Sequence, residues 1–408
     1  MDNYLKNFAR KTALFEEKTL DNLQLCVVIP CFNEPEALQT LQSIKKCDLP
    51  PCGVEVLIII NDGENASENI KQQNLHTFNQ LNEFAQKNNS ENLKFLIHYE
   101  KNIPKKLAGV GFARKLGMDE AVRRLNHPNG IIACLDTDCT VSKNYLTEIY
   151  HNFLPENFNT ATIYFEHPVK GNDYPDEIYQ AAYHYELHLR YYKNALAYAG
   201  FPFAIYTVGS SMAVKANAYC KQGGMNKRKA GEDFYFLPKM CKLSKPVEIN
   251  SCAVFPSPRI SNRVPFGTGK AIGEIISSET PATYLTYAFR SFSDLKVLFE
   301  NIENLYNNLP VQLPDSITAF LSEIEFEQEL NEIRNNSTDY TSFYKRFFQW
   351  FNAFRILKFI HFARDNFYPN QPVEQETKKL LSEMKAVLDE NQDLLLFLRN
   401  NDRLHSET

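Results

Sequence analysis

Apolar runs of strand length alternate with amphipathic stretches over the first 140 residues. Four runs are mostly apolar: 25–30, 54–60, 94–99 and 130–135. The stretches between them have the periodicity or polarity of helices: 35–46, 66–89 and 111–125. Strands that are apolar on both faces are typical of a parallel sheet covered by helices. The pattern therefore predicts an α/β fold with a mostly parallel sheet flanked by helices.

The pattern changes after residue 160. It predicts further strands and helices, then a helical C-terminal region with one helix over 342–364 and another over 374–398. The further strands are expected at 161–165 and 205–214, and the further helices at 176–198, 215–224 and 232–243. The expected divisions are an N-terminal helical extension (1–22), an α/β domain (23–260), a flexible basic loop (261–280) and a helical region (281–408).

Polar residues follow three of the apolar runs: Asn33 and Glu34, Asn61 and Asp62, and Asp136 and Asp138. In open α/β sheets, ligands bind outside the carboxyl ends of the strands. We therefore expect these clusters to converge on one crevice.

Asp136 and Asp138 have the spacing of a metal-binding motif. Two carboxylates at a bend after a strand can both reach one Mg²⁺ or Mn²⁺ ion, which prefers oxygen ligands and leaves positions for phosphate oxygens. A solvated turn is the ordinary interpretation of an isolated Asp-x-Asp. The position of Asp136 and Asp138 directly after the fourth apolar run favours a metal site over a solvated turn.

Two further clusters have both a functional and a structural interpretation. Asp62 can accept hydrogen bonds from a nucleotide base, or belong only to an Asn-Asp-Gly turn. Phe32 can stack on the base, although by itself a core position is favoured. Glu232 and Asp233 open a helix, where acidic residues favour the helix dipole, and a carboxylate there can also remove a proton from an attacking hydroxyl.

The basic segment 257–270 has no acidic neighbour in sequence and includes Arg259, Arg263 and Lys270. Such a segment either closes over a diphosphate or forms a surface linker. Helix 176–198 has His184 and His188 four residues apart among tyrosines, which favours an aromatic wall for the acceptor over a metal site.

Composition narrows the classes of function. Net charge is −5, which argues against non-specific nucleic-acid binding. Nine cysteines without a CxxC pair indicate a reduced, cytosolic protein, and no apolar run is long enough to span a bilayer. The aromatic, basic stretch 342–364 favours packing against the α/β domain or a homodimer partner, with peripheral contact to the inner face of a membrane as the alternative.

Taken together, the motifs resemble the family 2 glycosyltransferases of bacterial type, which have a GT-A fold, over roughly residues 25–260. The segments that resemble the family, in order, are Val27-Val-Ile-Pro-Cys-Phe-Asn-Glu34, Ile60-Asn-Asp-Gly63, Gly111-Phe-Ala-Arg-Lys-Leu-Gly117, Leu135-Asp-Thr-Asp-Cys139, Gly223-Gly-Met225 and Gly231-Glu-Asp233.

The resemblance implies a role for each matching residue. Pro30, Phe32 and Asp62 would hold the base, with Glu34 and Arg114 also beside the nucleotide. Asp136 would bind the ribose and Asp138 the Mn²⁺ or Mg²⁺ ion on the diphosphate. Asp233 would be the catalytic base and Glu232 would support the acceptor. The donor would be a nucleotide-diphosphate sugar, with a UDP-sugar favoured, and the acceptor a hydroxyl of a glycan, a lipid or a small metabolite.

Three departures from the family pattern qualify this expectation. The usual Asp-Asp-Gly-Ser turn is Asn61-Asp-Gly-Glu64 here. The Gln-x-x-Arg-Trp signature of processive synthases is absent, which favours a single addition, and residues 244–280 contain no histidine to act as a further metal ligand.

Several alternatives stay open at this point. Uracil and guanine are both compatible with Asp62. An inverting reaction is preferred, although retaining enzymes share the fold and the metal motif. A sugar-nucleotide nucleotidyltransferase would need a Gly-rich basic loop after the first strand, and a non-catalytic scaffold would not need Asp136, Asp138 and Asp233.

Overall fold

The computed structural model describes residues 1–155, 158–229, 231–261, 263, 267–278, 284–389 and 391–404. The strands are β1 (Leu23–Cys31), β2 (Gly53–Gly63), β3 (Leu93–Ile103), β4 (Ile131–Cys134), β5 (Cys139–Val141), β6 (Thr160–Phe165), β7 (Met212–Lys215), β8 (Val247–Pro256), β9 (Leu285–Thr286) and β10 (Gln371–Pro372). The helices as far as residue 276 are α1 (Asp2–Phe8), α2 (Ala37–Lys45), α3 (Glu68–Asn88), α4 (Val110–Leu125), α5 (Tyr145–Phe153), α6 (Asp176–Tyr198), α7 (Ala216–Lys221), α8 (Glu232–Met240) and α9 (Thr268–Ile276). Those that follow are α10 (Phe289–Glu300), α11 (Ile302–Tyr306), α12 (Asp315–Glu323), α13 (Phe326–Asn335), α14 (Tyr340–Trp350), α15 (Ala353–Asn366), α16 (Val373–Glu383) and α17 (Leu394–Leu404).

An eight-stranded sheet has the order β3-β2-β1-β4-β7-β6-β8-β5 in the described chain. Strands β3, β2, β1 and β4 are parallel, and β7 is antiparallel to both β4 and β6. Strands β1 and β2 are buried almost throughout because both of their faces are apolar. The predicted α/β fold with a mostly parallel sheet and a helical C-terminal region is confirmed.

Helix α4 packs closely on the centre of the sheet. A Cβ atom at Gly117 would lie 2.5 Å from Val28 Cγ1 and 3.0 Å from Ile59 Cγ1. Only glycine therefore allows the helix to approach the strands at this distance. This approach places Arg114, one turn earlier, beside the carboxyl end of β4.

The chain forms two compact units. One comprises residues 1–179, 207–273 and 400–408 and contains the large sheet. The other comprises residues 180–206 and 274–399 and is mostly helical, with β9 and β10 paired antiparallel. Within the described chain, no helix combines the length and apolar character needed to cross a bilayer.

Two predicted elements before residue 260 were wrong in extent, and two strands were not predicted. The strand expected over 205–214 is only β7, because a turn joins Val208 and Ser211 through a 3.0 Å backbone hydrogen bond. Helix α1 ends at Phe8, so most of the expected N-terminal extension is not helical. The short strand β5 and the long strand β8 were not predicted, and they pair with each other at one edge of the sheet.

Two predicted C-terminal helices are each divided. The helix expected over 342–364 is α14 followed by α15, because the Asn352 side chain accepts hydrogen bonds from the amides of Phe354 and Arg355 and caps a new helix. The helix expected over 374–398 ends at Glu383, and Lys385 has a left-handed φ of 59°. Phe343, Phe347 and Phe348 of α14 and Phe359 of α15 are buried.

Candidate functional site

Arg114 is a buried guanidinium at the centre of the site, with 1% of its surface exposed. Its Nη2 donates to Asp136 Oδ1 at 2.8 Å, and its Nε donates to Glu232 Oε1 at 2.9 Å. Its Nη1 donates to the Gly209 carbonyl at 3.0 Å. Burial by itself would lower the pKa of Arg114, but the two carboxylates raise that pKa well above its ordinary value. One permanent cation therefore joins the end of β4, the start of α8 and the turn before β7.

Asp233 lies in the first turn of α8, which begins after Gly231 with a φ of 69°. Asp233 Oδ1 accepts a 2.7 Å hydrogen bond from the amide of Phe234. Burial, and then the neighbouring Glu232 carboxylate, raise the pKa of Asp233 to about 7, while Arg114 opposes the shift. Asp233 is therefore a carboxyl group that can exchange a proton near neutral pH.

Gly209 is a site residue that the sequence pattern did not single out. A Cβ atom at this position would lie 2.9 Å from Arg114 Nη2 and 3.0 Å from Asp233 Oδ2. A side chain there would push between the two charged groups. The signal in the sequence was a glycine followed by two serines inside an otherwise apolar run.

Asp138 lies directly after the short bend that follows β4. Its Oδ2 is 3.4 Å from Arg263 Nη2 and 3.8 Å from Arg259 Nη2. Burial and the charge of Asp136 raise the pKa of Asp138, and the two arginines act against that rise. The two carboxylates of the predicted motif thus have different partners, with Asp136 facing Arg114 and Asp138 facing the basic segment.

A hard divalent metal suits these carboxylate oxygens. Among the described residues, however, no three Asp, Glu, His or Cys side chains are grouped so that they could hold a metal ion. An ion at Asp138 would therefore need most of its ligands from water or from phosphate oxygens, as Mg²⁺ does in many phosphate-binding sites.

Glu34 is fully buried and faces the basic segment. Its carboxylate accepts from both Nη atoms of Arg259 and, at 2.7 Å, from Arg263 Nη1. Burial by itself would raise the pKa of Glu34, but the two arginines lower it. The basic segment has no acidic neighbour in sequence, but the fold brings Glu34, Glu36 and Asp138 to it.

The other predicted nucleotide-binding residues lie at the ends of β1 and β2. Asp62 is buried, with Oδ2 accepting from Tyr99 Oη at 2.5 Å and Oδ1 accepting from the Asn102 amide at 2.8 Å. A carboxylate has further lone pairs for a ligand. The Pro30 carbonyl accepts from Thr137 at 3.3 Å, and Phe32 is half-buried rather than in the core.

Helix α3 connects these two strand ends. Asn74 Oδ1 accepts from the Asn33 amide at 2.8 Å, and Asn74 Nδ2 donates to the Asn61 carbonyl at 3.1 Å. The buried Asn74 side chain therefore connects the turn after β1 with the end of β2. Farther along, Lys270 lies within α9, which begins at Thr268, and not in the expected flexible loop.

His184 and His188 lie on the part of α6 that belongs to the helical unit. His188 Nδ1 is 2.7 Å from Thr286 Oγ1, and its ring packs against Tyr284 and Tyr287. Burial lowers the pKa of His188 to about 4. The surroundings of this histidine are aromatic, as the sequence interpretation favoured.

Comparison with solved structures returns weak likenesses over most of the chain. S. aureus TarS 1-349 matches at 12% identity and a TM-score of 0.37, over 94% of this chain and 89% of that chain. The same protein in complex with UDP-GlcNAc matches at 15% identity and a TM-score of 0.39, over the same shares. GalNAc-T7 with UDP, GalNAc and Mn²⁺ matches at 13% identity and a TM-score of 0.40, over 86% of this chain and 58% of that chain.

No family model and no curated protein matches the chain.

Proposed function

We propose that this protein is a metal-dependent glycosyltransferase that moves a hexose from a nucleotide-diphosphate sugar to a hydroxyl acceptor, with inversion at the anomeric carbon. The observation that carries the proposal is the connection of Asp136 to Glu232 and Asp233 through buried Arg114. It links a carboxylate at the end of a sheet strand, where nucleotides bind, to a carboxyl group suited to proton transfer.

The donor would lie at the carboxyl ends of β1, β2 and β4. Asp62 and Phe32 would contact the base, Asp136 the ribose, and Arg259 and Arg263 the diphosphate, to which planar guanidinium groups offer paired donors. Lys270 would add a cation from the start of α9. The lone pairs of Asp62 suit either uracil or guanine, and a UDP-sugar is the first donor to test because the resemblance of the motifs favours it.

The acceptor hydroxyl would lie beside Asp233. As its oxygen bonds to the anomeric carbon, its proton passes to the Asp233 carboxylate, and the bond between that carbon and the phosphate oxygen breaks to release the nucleoside diphosphate. Glu232, which faces Arg114, would act by holding Arg114 and the start of α8 in place. A divalent metal at Asp138, with Asp136 beside it, would neutralise the charge that grows on the diphosphate.

The acceptor is proposed as a glycan, a lipid or a small metabolite, with one sugar added per encounter. The absence of the Gln-x-x-Arg-Trp signature supports the single addition, since the one tryptophan, Trp350, lies in α14 of the helical unit.

A thermal-shift panel tests the donor site. UDP, GDP, UDP-GlcNAc, UDP-glucose and GDP-mannose would each be measured with Mn²⁺, Mg²⁺ or chelator. A ligand at 100 times its Kd stabilises the folded protein by about 2.7 kcal/mol. We expect a metal-dependent shift with one nucleotide that Asp138→Ala abolishes and that Asp365→Ala, at an exposed carboxylate of the helical unit, leaves unchanged.

If folded protein shows no shift with any of these nucleotides, the proposed donor site is wrong and a non-catalytic role becomes the better hypothesis. If UTP or GTP, added to the same panel, gives a larger shift than the nucleoside diphosphates, the nucleotidyltransferase alternative is favoured.

A further inference from the structure

Arg259, Arg263, Glu34 and Asp138 form a four-residue cluster in the first unit. The two guanidinium groups share the Glu34 carboxylate and also lie 3.4–3.8 Å from Asp138 Oδ2. Glu34 is fully buried, whereas the Asp138 side chain is 32% exposed. Glu34 therefore holds the arginines firmly, while Asp138 contacts the same cations at longer range.

The two arginines face Asp138 Oδ2, one of the two carboxylate oxygens that a metal ion at this residue would use. A divalent metal and a guanidinium group both seek the same carboxylate oxygen, and two cations at that place repel each other. The described residues supply no further carboxylate or imidazole cluster to compensate the metal for this repulsion. Metal alone should therefore bind weakly in the donor-free protein.

A diphosphate changes this balance. It offers several negative oxygens to the arginines and supplies the metal with additional ligands. A guanidinium group has five N–H donors, and the contacts of Arg259 and Arg263 with Glu34 use only part of them. A phosphate group can thus engage Arg259 and Arg263 without the loss of their contacts with Glu34.

We infer that Arg263, positioned with Arg259 by Glu34, competes with the divalent metal for Asp138, so that metal binds tightly only together with a nucleotide diphosphate. This inference rests on the proposed function for the identity of the anion, but its metal-binding part stands on the ion pairs alone. Glu34 then acts as a positioning residue for the arginines and not as a direct contact of the nucleotide.

The test is titration of Mn²⁺ into the protein, followed by electron paramagnetic resonance of the free ion, with and without saturating UDP. In Arg263→Gln, Mn²⁺ without UDP should bind more tightly than in the natural chain, on the order of 5-fold or more, the lower range of typical coupling between two sites. UDP should also improve Mn²⁺ affinity by a smaller factor in this variant.

Two controls separate competition from a general change in charge. Arg263→Lys keeps the positive charge and should leave Mn²⁺ affinity near that of the natural chain. Arg364→Gln removes a cation that pairs with Asp365 in the helical unit and should have no effect. Because the Arg263 side chain is 22% exposed and Arg259 remains on Glu34, Arg263→Gln should fold, which circular dichroism would verify.

Unchanged Mn²⁺ affinity in folded Arg263→Gln would overturn the inference. If Arg263→Gln binds Mn²⁺ more tightly but UDP has no effect in either protein, the competition stands while the proposed donor is wrong. Failure of the inference and failure of the proposed function thus give different results.

Discussion

At the scale of single residues, Asp233 has the most informative environment. It is partly buried beside Glu232 and is partly balanced by Arg114, so its pKa of about 7 reflects burial and two opposing charges. Such a pKa suits a general base that must be ionised before reaction and must accept a proton during it.

Replacement of Asp233 by Asn should remove the base without removing the donor site. We expect turnover to fall by about 10²- to 10⁴-fold, with the thermal shift caused by donor and metal retained. In the natural protein, turnover should rise with pH through about 7 as Asp233 ionises. Donor hydrolysis or transfer, measured from pH 5 to 9, would check both results, and full activity in Asp233→Asn would rule out this base.

The same residue predicts a stability effect. The folded protein holds the Asp233 proton up to about pH 7, whereas the unfolded chain releases it near the ordinary value of 3.8. Between these values the free energy of unfolding should fall with rising pH by about 1.4 kcal/mol per pH unit for this group. Asp233→Asn cannot ionise and should be more stable than the natural chain at pH 8, with a smaller difference at pH 5. Denaturant unfolding at each pH would measure the difference in free energy of unfolding between the two proteins. A difference that does not change with pH would contradict the environment described for Asp233.

Arg114 should tolerate no replacement, because it satisfies two carboxylates and a carbonyl with one planar group. Arg114→Lys keeps the charge but not the three-way geometry. We expect kcat/KM to fall on the order of 100-fold, the size of loss that a misplacement of about 1 Å can cause.

Arg114→Met leaves buried Glu232 without its partner and should reduce the free energy of unfolding by about 3–5 kcal/mol. Steady-state kinetics and denaturant unfolding would test the two variants.

At the scale of elements, the site depends on where strands and helices end. The turn that shortens β7 places Gly209 against Arg114 and Asp233, so the conformation of this turn and the position of the Asp233 carboxyl group are coupled. Gly209→Ala should lower turnover on the order of 100-fold through displacement of these two groups. The unfolding midpoint should change much less than in Arg114→Met. Normal turnover in Gly209→Ala would show that the close approach is relaxed in solution.

In the helical unit, the boundary between α14 and α15 depends on one side chain. Asn352 accepts from two amides at the start of α15, so Asn352→Ala should lower the free energy of unfolding by about 1 kcal/mol. Gln349→Ala, at an exposed position of α14, should have little effect. Denaturant unfolding of both variants would compare them, and equal losses would mean that the cap contributes nothing.

At the scale of the whole molecule, all of the proposed site residues belong to the unit that contains the large sheet. Hydrogen exchange with UDP and Mn²⁺ should therefore show new protection around 30–34, 60–64, 134–140, 207–211 and 257–263. Peptides from 284–389 should be nearly unchanged. Protection confined to the helical unit would mean that the nucleotide binds elsewhere.

The sequence by itself determined the class of fold and the edge of the sheet where we propose that the site lies. Strands such as β1 and β2 are apolar on both faces, and that composition is stable only inside a parallel sheet covered by helices. The carboxyl ends of such strands meet at one edge, so Asp62, Asp136 and Asp138 were recognisable from their positions alone.

Only the tertiary structure decided which charges face each other. Arg114 and Glu232 are 118 residues apart in sequence, and Arg259 and Glu34 are 225 apart, so no local spacing relates them. The division between α14 and α15 likewise could not be predicted from the sequence pattern. The apolar periodicity continues across the helix boundary, and the cap depends on the single side chain of Asn352. Periodicity reports which face of an element is buried, whereas pairs of buried charges form only when distant elements have packed.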